Sequence, residues 1–245
     1  MRLLRELLAA VQFLTRFPVP SYKFEPVMVL GSAKLYPVVG ALVGLGAMAI
    51  NRLLRGHVPA SVLAIAVLVY FGVLTGGMHE DGLADTFDGL GAGGSRKRML
   101  DIMRDSRIGS FGTLSIVFSV LLRWALLSAM EPVKFGSYVL AAQVLCRWTA
   151  LPLAAFMPSA RTDGLGEKLA RKVSVAALAA GTAIALAIGG IALRVHVLAP
   201  FAAAIAVTVG SALVYRKKLG GITGDCFGAT NQMAEIAVYL CAVWI

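Results

Sequence analysis

Hydrophobic residues occur in this chain as long runs rather than as the alternation typical of a half-buried strand. Seven runs approach the ~20 apolar residues that a helix needs to cross a bilayer, and they cover residues 35–54, 58–78, 110–130, 135–157, 173–193, 197–215 and 229–245. Because only a helix satisfies its backbone within lipid at these lengths, we predict an all-α, polytopic membrane bundle with about seven transmembrane helices. The last run is short and carries several polar residues, so a half-buried or tilted helix is the alternative there.

The first residues of the chain predict a different kind of helix. Leucines and a valine line one side of it (Leu4, Leu7, Leu8, Val11 and Leu14), and mostly polar residues lie across from them (Arg2, Glu6, Ala9, Gln12 and Arg16). This pattern is typical of an amphipathic helix lying in the membrane interface, and Pro18 and Pro20 end it. The polar interruptions exclude a secretory signal peptide. A short helix that packs on the bundle remains an alternative.

Composition and charge place the chain in the membrane class and give its orientation. Hydrophobic residues make up 58% and charged residues 15%, against roughly 45–50% and about 25% in soluble domains. Of the 23 Lys and Arg residues, 17 lie before residue 35 or after the second, fourth and sixth runs. The positive-inside rule makes these regions cytoplasmic in a multi-pass protein of the inner or plasma membrane. The net charge of +10 therefore needs no nucleic acid to explain it, and we predict a single domain over residues 1–245.

The acidic residues are concentrated just after the second run, in the segment T-G-G-M-H-E-D-G-L-A-D-T-F-D-G-L that begins at Thr75. Asp81, Asp85 and Asp88 have the spacing i, i+4 and i+7, which puts them on one face of a helix. Like charges on one face repel, and a divalent cation with oxygen ligands such as Mg²⁺ removes that repulsion. We therefore predict that Glu80, Asp81, Asp85 and Asp88 hold Mg²⁺, and that the flanking glycines allow a ligand to approach closely. A solvated acidic helix start is the alternative.

Two further polar segments lie on the same predicted cytoplasmic side. The first mixes acids with arginines that suit a phosphoanhydride, and its predicted substrate-binding residues are Arg98, Asp101, Arg104, Asp105 and Arg107. Taken alone, however, the segment favours the alternative of a surface helix with internal i, i+3 and i+4 ion pairs. The second is a Gly- and Thr-rich loop entering the last run, and its predicted substrate-binding residues are Thr223, Asp225, Asn231, Gln232 and Glu235. A helix-packing face is the alternative for its last three members.

Two arginines fall inside predicted spans, where an unpaired guanidinium costs about 3 kcal/mol by insertion scales. Arg123 and Arg147 therefore need partners or contact with water, and Glu235 is a candidate partner for Arg147. We also place Arg147 among the substrate-binding residues. His79, beside Glu80, is a candidate general base near neutral pH.

Three motifs in this chain resemble those of the cobalamin synthase (adenosylcobinamide-GDP ribazoletransferase) family. They are M-H-E-D-G-L-A-D-T-F-D-G-L, M-R-D-S-R-I-G-S-F-G and G-G-I-T-G-D-C-F-G-A, and F-L-T-R-F-P-V-P and the dipeptide at Arg147 support them. The resemblance implies a Mg²⁺-dependent integral membrane enzyme that joins adenosylcobinamide-GDP to α-ribazole, or its 5′-phosphate, and releases GMP.

The resemblance suggests a mechanism for these residues. Glu80, Asp81, Asp85 and Asp88 would hold the metal against the diphosphate, and the ribazole hydroxyl would attack with its proton passing to Asp88, or to His79 in reserve. Asp85 would be essential to the metal shell. A lipid-headgroup transferase of the CDP-alcohol class, a divalent cation transporter and a non-catalytic membrane partner remain alternatives, and a homo-oligomer is left open.

Overall fold

The computed structural model describes residues 2–19, 31–162 and 172–244, and regular structure in these residues is helical. The helices are α1 (Arg2–Leu14), α2 (Tyr36–Leu54), α3 (Ala60–Thr75), α4 (Met78–Ala92), α5 (Arg96–Ile102), α6 (Ser110–Ala129), α7 (Pro132–Trp148), α8 (Ala150–Phe156), α9 (Val175–Leu193), α10 (Leu198–Lys218) and α11 (Gly224–Trp244). Short 3₁₀ turns precede α2 and α10. The predicted all-α class is confirmed.

Several of these helices are long and apolar enough to cross a membrane. Four stretches of the described chain qualify by length and composition, namely Ala33–Leu54, Ser110–Ala129, Pro132–Phe156 and Val175–Lys218. The pair α3 and α4 qualifies only when its two helices are taken together, which raises the number to five. The count of about seven is not confirmed and stays a prediction.

The predicted second span, 58–78, is shorter than expected because two consecutive glycines end it. Gly76 and Gly77 both have left-handed backbone angles, with φ of 68° and 71°, a conformation that commonly terminates helices. Helix α3 therefore stops at Thr75, and α4 leaves it at an angle of 87°. The prediction that one helix runs to residue 78 is wrong, and the bend turns the acidic segment sharply away from α3.

Helix α7 is the centre of the bundle, because small residues let its neighbours approach the backbone. A Cβ atom built on Gly40 of α2 would lie 2.1 Å from the carbonyl oxygen of Gln143, and one on Gly44 would lie 2.8 Å from the Cα of Leu140. Side chains along most of α7 are buried. Helix α11 packs against α7, α4 and α10, so α11 connects α4 to the central helix α7.

The predicted amphipathic helix is present as α1, and it is tied to the bundle by polar contacts. Glu6 is buried, and its carboxylate pairs with the Lys34 ammonium at 2.8 Å and the Arg2 guanidinium at 3.0 Å. The backbone N–H of Arg16 donates to the carbonyl of Leu74 near the α3–α4 bend. Leu3 and Leu4 are exposed. The location of α1 in a membrane interface stays a prediction.

The bend between α3 and α4 gives a test of backbone strain. We expect Gly77→Ala to lower the free energy of unfolding by about 1–2 kcal/mol, because an L-residue is strained at positive φ although nothing lies within 4 Å of the added Cβ. The measurement is thermal unfolding of the purified protein in detergent. Gly72→Ala is the matched control, since its Cβ also meets open space but within helix α3, where Ala is favoured over Gly. Equal melting temperatures for the two variants would contradict the strain.

Candidate active site

The backbones of helices α4 and α11 lie very close together where the two helices cross, because the residues at the crossing are glycines. A Cβ atom on Gly82 would lie 2.8 Å from the carbonyl oxygen of Asp225 and 3.2 Å from the Cα of Gly228. A Cβ on Gly228 would lie 3.1 Å from the carbonyl oxygen of His79. The sequence predicted that the flanking glycines let a ligand approach closely. At Gly82 it is helix α11 that approaches instead. The crossing places the acids of α4 beside the first turn of α11.

Four carboxylates influence one another electrostatically at this crossing. The charges of Asp225, Asp81 and Asp88 all act on Asp85, and Arg161 acts on it with the opposite sign. Asp81 and Asp225 also act on each other. The sequence motif around Asp81 and the loop motif around Asp225, more than 130 residues apart in the chain, therefore form one acidic region.

Asp88 belongs to α4 but is occupied by the start of α6. Its two carboxylate oxygens accept backbone N–H groups from Gly109 and Gly112, each at 2.7 Å. These N–H groups are among those that a helix N-terminus leaves without an internal partner, so Asp88 caps α6 from outside. A Cβ on Gly112 would lie 2.2 Å from the Asp88 carboxylate. This geometry favours a structural role for Asp88 over its predicted role as the base.

Glu80 is held by a second contact to α6, in a buried polar cluster. Its Oε1 accepts hydrogen bonds from both terminal nitrogens of Arg123, each at 3.2 Å, and from the Gln232 side-chain amide at 3.1 Å. Gln232 in turn accepts from the Ser119 hydroxyl, and Glu235 lies 3.7 Å from Arg123. Glu80, Gln232 and Glu235 therefore form the environment of a buried arginine.

Arg147 does not pair with Glu235 as predicted, because Arg123 lies closer to that carboxylate. One terminal nitrogen of Arg147 donates instead to Gln143, at 3.1 Å to its carbonyl oxygen and 2.6 Å to its side-chain oxygen. The Arg147 Nε is buried without a hydrogen-bond partner within the described part of the chain. Arg147 also lines the adjacent cavity.

A cavity of about 270 Å³ lies beside the crossing of α4 and α11. Its polar lining is formed by His79, Asp81, Arg147, Arg161, Asp225 and Asn231. Its apolar lining comes mainly from Phe13 and Leu14 of α1, Tyr36, Met78, Ala150, Ala154 and Phe227. The cavity thus brings carboxylates and guanidinium groups together, as a site for a metal-bound phosphate ester would require.

Arg161 connects the cavity to the segments around it. Its Nη2 donates to the carbonyl oxygen of Leu100 at 2.9 Å, and its Nη1 lies 3.7 Å from the Asp225 carboxylate. Burial raises the pKa of Asp225, and the charge of Asp81 adds to this, whereas Arg161 and a hydrogen bond from Thr223 oppose it. No sequence motif marks Arg161, so it was predicted only as one of the basic residues on the cytoplasmic side.

The predicted arginine-rich segment lies outside the cavity lining. Arg98, Asp101, Arg104 and Arg107 are exposed residues around α5, and none of them lines the cavity. Arg107 holds Asp105 in a bidentate pair, with the shortest contact at 2.6 Å. Hydrogen bonds from Arg107 lower the pKa of Asp105 to about 2. The surface helix of the alternative is present as α5, but the Asp105–Arg107 pair lies in the turn after it, and the substrate-binding role of this segment stays a prediction.

The predicted metal set is divided by the structure into two pairs. Glu80 and Asp88 are bound by protein groups, whereas Asp81 is exposed and Asp85 half-buried, and no described residue donates a hydrogen bond to either side chain. Within residues 2–19, 31–162 and 172–244, no three His, Cys, Asp or Glu side chains are gathered closely enough for a ready-made metal site. The donors still suit Mg²⁺ in kind, because Asp81, Asp85 and Asp225 offer only oxygen.

Comparison with known proteins identifies the family. The model of a family described as cobalamin-5-phosphate synthase matches residues 6–243. The chain belongs to this family. Proteins named adenosylcobinamide-GDP ribazoletransferase are similar over nearly their whole length: one from Azorhizobium caulinodans is 39% identical, covering 96% of this chain and 94% of the relative. One from Clostridium botulinum is 32% identical, covering 97% of each.

The family match confirms the resemblance inferred from the motifs and, with it, the enzyme class, a transferase of cobalamin synthesis. No solved structure matches the chain significantly. The arrangement of the three motifs around the cavity is therefore seen in the structure of this chain and has no solved structure to be compared with.

The contacts of Asp88 predict that it stabilises the fold more than its neighbour Asp81 does. We expect Asp88→Asn to lower the free energy of unfolding by about 1–3 kcal/mol, because an amide nitrogen would face a backbone N–H that then loses its acceptor. Asp81→Asn, at an exposed position of the same helix, should change it by less than about 0.5 kcal/mol. Thermal unfolding in detergent measures both. A melting temperature for Asp88→Asn equal to that of Asp81→Asn would exclude the capping role.

We predict that the distance between α4 and α11 at the glycine crossing controls activity. We expect Gly82→Ala to reduce turnover roughly 100-fold, because the new methyl group forces the acids of α4 away from Asp225, and displacements near 1 Å can have that effect. Gly210→Ala is the control, since the Cβ there meets nothing within 4 Å on a helix outside the cavity. The measurement is kcat/KM of each variant in matched detergent. Wild-type kcat/KM in Gly82→Ala would show that the crossing does not set the site.

Proposed function

We propose that this protein joins adenosylcobinamide-GDP to α-ribazole, or to its 5′-phosphate, and releases GMP. The observation that carries the proposal is the cavity in which Asp81 and Asp225 face Arg147 and Arg161, in a chain of the cobalamin-5-phosphate synthase family. The names of the relatives give the donor and the group transferred. We further propose that the cavity opens toward the cytoplasm, as the distribution of basic loops indicates.

Mg²⁺ is the cofactor that we propose for this reaction, held by Asp81 and Asp225, which line the cavity. Both carboxylates act electrostatically on Asp85 at the crossing, and Arg161 is the cation that acts on Asp85 and Asp225. Bound there, Mg²⁺ would offset negative charge on the diphosphate during phosphoryl transfer. Glu80 and Asp88, which were also predicted as ligands, would act instead by fixing α4 to α6.

The two arginines of the cavity suit the phosphate groups of the donor. Arg147 and Arg161 both line the cavity, and their positive charge would attract the diphosphate of the donor. Guanidinium groups bind phosphate through two parallel hydrogen bonds. Arg147 and Arg161 would thus orient the bridge between the cobinamide and guanosine ends.

The reaction joins a hydroxyl of the ribazole ribose to the phosphorus on the cobinamide side. The bond from that phosphorus to the bridging oxygen breaks, GMP leaves with the bridging oxygen, and the hydroxyl proton must be accepted by the protein. We propose Asp85 as the acceptor in place of Asp88, whose oxygens are both engaged. Three neighbouring carboxylates act on Asp85, so a proton there reduces their repulsion. His79, which lines the same cavity, is the second candidate.

The proposal predicts metal-dependent release of GMP that requires Asp85. We expect purified protein in detergent or lipid to release GMP from adenosylcobinamide-GDP when α-ribazole and Mg²⁺ are present, and to stop when a chelator removes the metal. Asp85→Asn should reduce the rate at least roughly 100-fold, the lower range for loss of a general base. Glu131→Gln, on an exposed residue outside the cavity, is the matched control and should keep the wild-type rate.

Two outcomes would overturn this proposal. Absence of GMP release with and without Mg²⁺ would exclude the reaction, and release of CMP from CDP-diacylglycerol under the same conditions would indicate a lipid-headgroup transferase. An unchanged rate in Asp85→Asn would remove Asp85 from the mechanism while leaving the reaction in place.

A further inference from the structure

The lining of the cavity includes groups that the phosphate chemistry does not require. Besides the acids and arginines of the proposed reaction, apolar and aromatic side chains line it, with Phe13 of α1, Tyr36 at the start of α2 and Phe227 of α11. We call the apolar and aromatic residues the apolar side of the cavity, and the acids and arginines its polar side. The rings of Phe13 and Tyr36 stack at 5.8 Å with an interplanar angle of 25°. A ligand that fills the cavity therefore needs a flat apolar part joined to a polar part.

The size of the cavity limits which substrate can enter it. Drug-sized ligands occupy sites of roughly 300–1,000 Å³, and this cavity of about 270 Å³ lies at the lower limit. A single nucleoside suits that space. A corrin macrocycle with its amide side chains is several times larger than a nucleoside and does not fit, so most of the donor must remain outside.

The chemistry of the apolar side distinguishes between the two nucleosides in the reaction. The base of α-ribazole is a dimethylbenzimidazole, whose two methyl groups and missing exocyclic polar groups suit an apolar, aromatic surface. Guanine carries a carbonyl and an amino group that the rings of Phe13 and Phe227 cannot hydrogen-bond, so it would need the polar residues of the cavity that the proposed reaction uses for the diphosphate. The observed lining thus favours the acceptor over the guanosine end of the donor.

We propose that the cavity is the binding site for the benzimidazole nucleoside, with its base against Phe13, Tyr36 and Phe227 and its ribose toward Asp81 and Asp225. The corrinoid lies outside, and only its diphosphate bridge reaches the polar side. This inference rests on the proposed function and adds which substrate occupies the enclosed space. It also gives α1 a role in acceptor recognition, because Phe13 and Leu14 reach the cavity from that helix.

The kinetics of both substrates test this assignment. Phe13→Ala should raise the KM for α-ribazole about tenfold, since a lost aromatic contact and the buried area that goes with it amount to that factor. The KM for adenosylcobinamide-GDP and the inhibition constant of GMP should stay within twofold of wild type. Phe17→Ala, at a residue near the same helix that is 60% exposed and outside the cavity lining, should change none of the three.

A second variant keeps the test decisive where Phe13→Ala fails to fold. Ala150→Leu adds bulk to the apolar side of the cavity without removing any polar group, and it should raise the KM for α-ribazole by a similar factor. A further readout compares α-ribazole with the riboside of unsubstituted benzimidazole. Wild type should prefer the dimethyl compound in kcat/KM, and Phe13→Ala or Ala150→Leu should lose most of that preference.

The outcomes separate this inference from the proposed function. If the wild-type protein releases GMP but the variants raise the KM for adenosylcobinamide-GDP, or weaken GMP inhibition, the cavity holds the donor and the inference is wrong. Wild-type constants for both substrates in both variants would also overturn it. If wild type releases no GMP at all, the proposed function itself fails.

Discussion

The contact between the backbones of α4 and α11 is the constraint on which the site depends. Because Gly82 and Gly228 have no side chains, two helices more than 130 residues apart in the chain meet at a distance that a Cβ atom on Gly82 would not allow. Every acid proposed as a ligand lies within four residues of this contact on its own helix. A wider crossing would leave Asp81 and Asp85 on one surface and Asp225 on another, with no shared charge.

The acids of the first motif divide into two functions, and their partners explain the division. Glu80 and Asp88 lie eight residues apart on α4, and each contacts α6, the first through Arg123 and the second through backbone N–H groups. These contacts fix both the position and the rotation of α4. With that rotation fixed, Asp81 faces the cavity and Asp85 lies near Asp225. Like-charged neighbours can therefore persist in one region, because other acids of the same helix stabilise the arrangement.

The apolar pattern predicted the helices well where a span stands alone. The run 110–130 corresponds to Ser110–Ala129, and 173–193 to Val175–Leu193, since hydrophobic length decides both. The apolar pattern did not predict the bend at Gly76. A pair of glycines looks the same in a sequence whether it lets a ligand approach closely or adopts the left-handed backbone angles that end a helix. The partners of Asp88 were also hidden, since they lie 21 and 24 residues away and backbone N–H groups have no sequence signature.

The chemistry of the site could be predicted from the sequence, but not all of the residues that form it. Motif spacing placed acids on one helical face, and the cost of burying a guanidinium required a partner for Arg123; both arguments concern local geometry and hold. Arg161 and Phe13 were not predicted as site residues. They reach the cavity from segments whose sequences do not differ from the neighbouring parts of the chain. Their roles arise only when α1 and the segment after α8 are brought against the crossing.

The bend between α3 and α4 links the membrane scaffold to the chemistry. A carboxylate within hydrocarbon is costly, so a helix carrying Asp81, Asp85 and Asp88 could not simply continue a span. The 87° turn directs α4 across the end of the bundle if α3 crosses the bilayer, while α6 and α11 still pack against it. The spans then supply rigidity, and α1, with its exposed leucines, contributes Phe13 and Leu14 to the lining of the cavity. If the cavity encloses the small acceptor, as we propose, the large corrinoid approaches from outside, and one end of the bundle can serve two substrates of very different size.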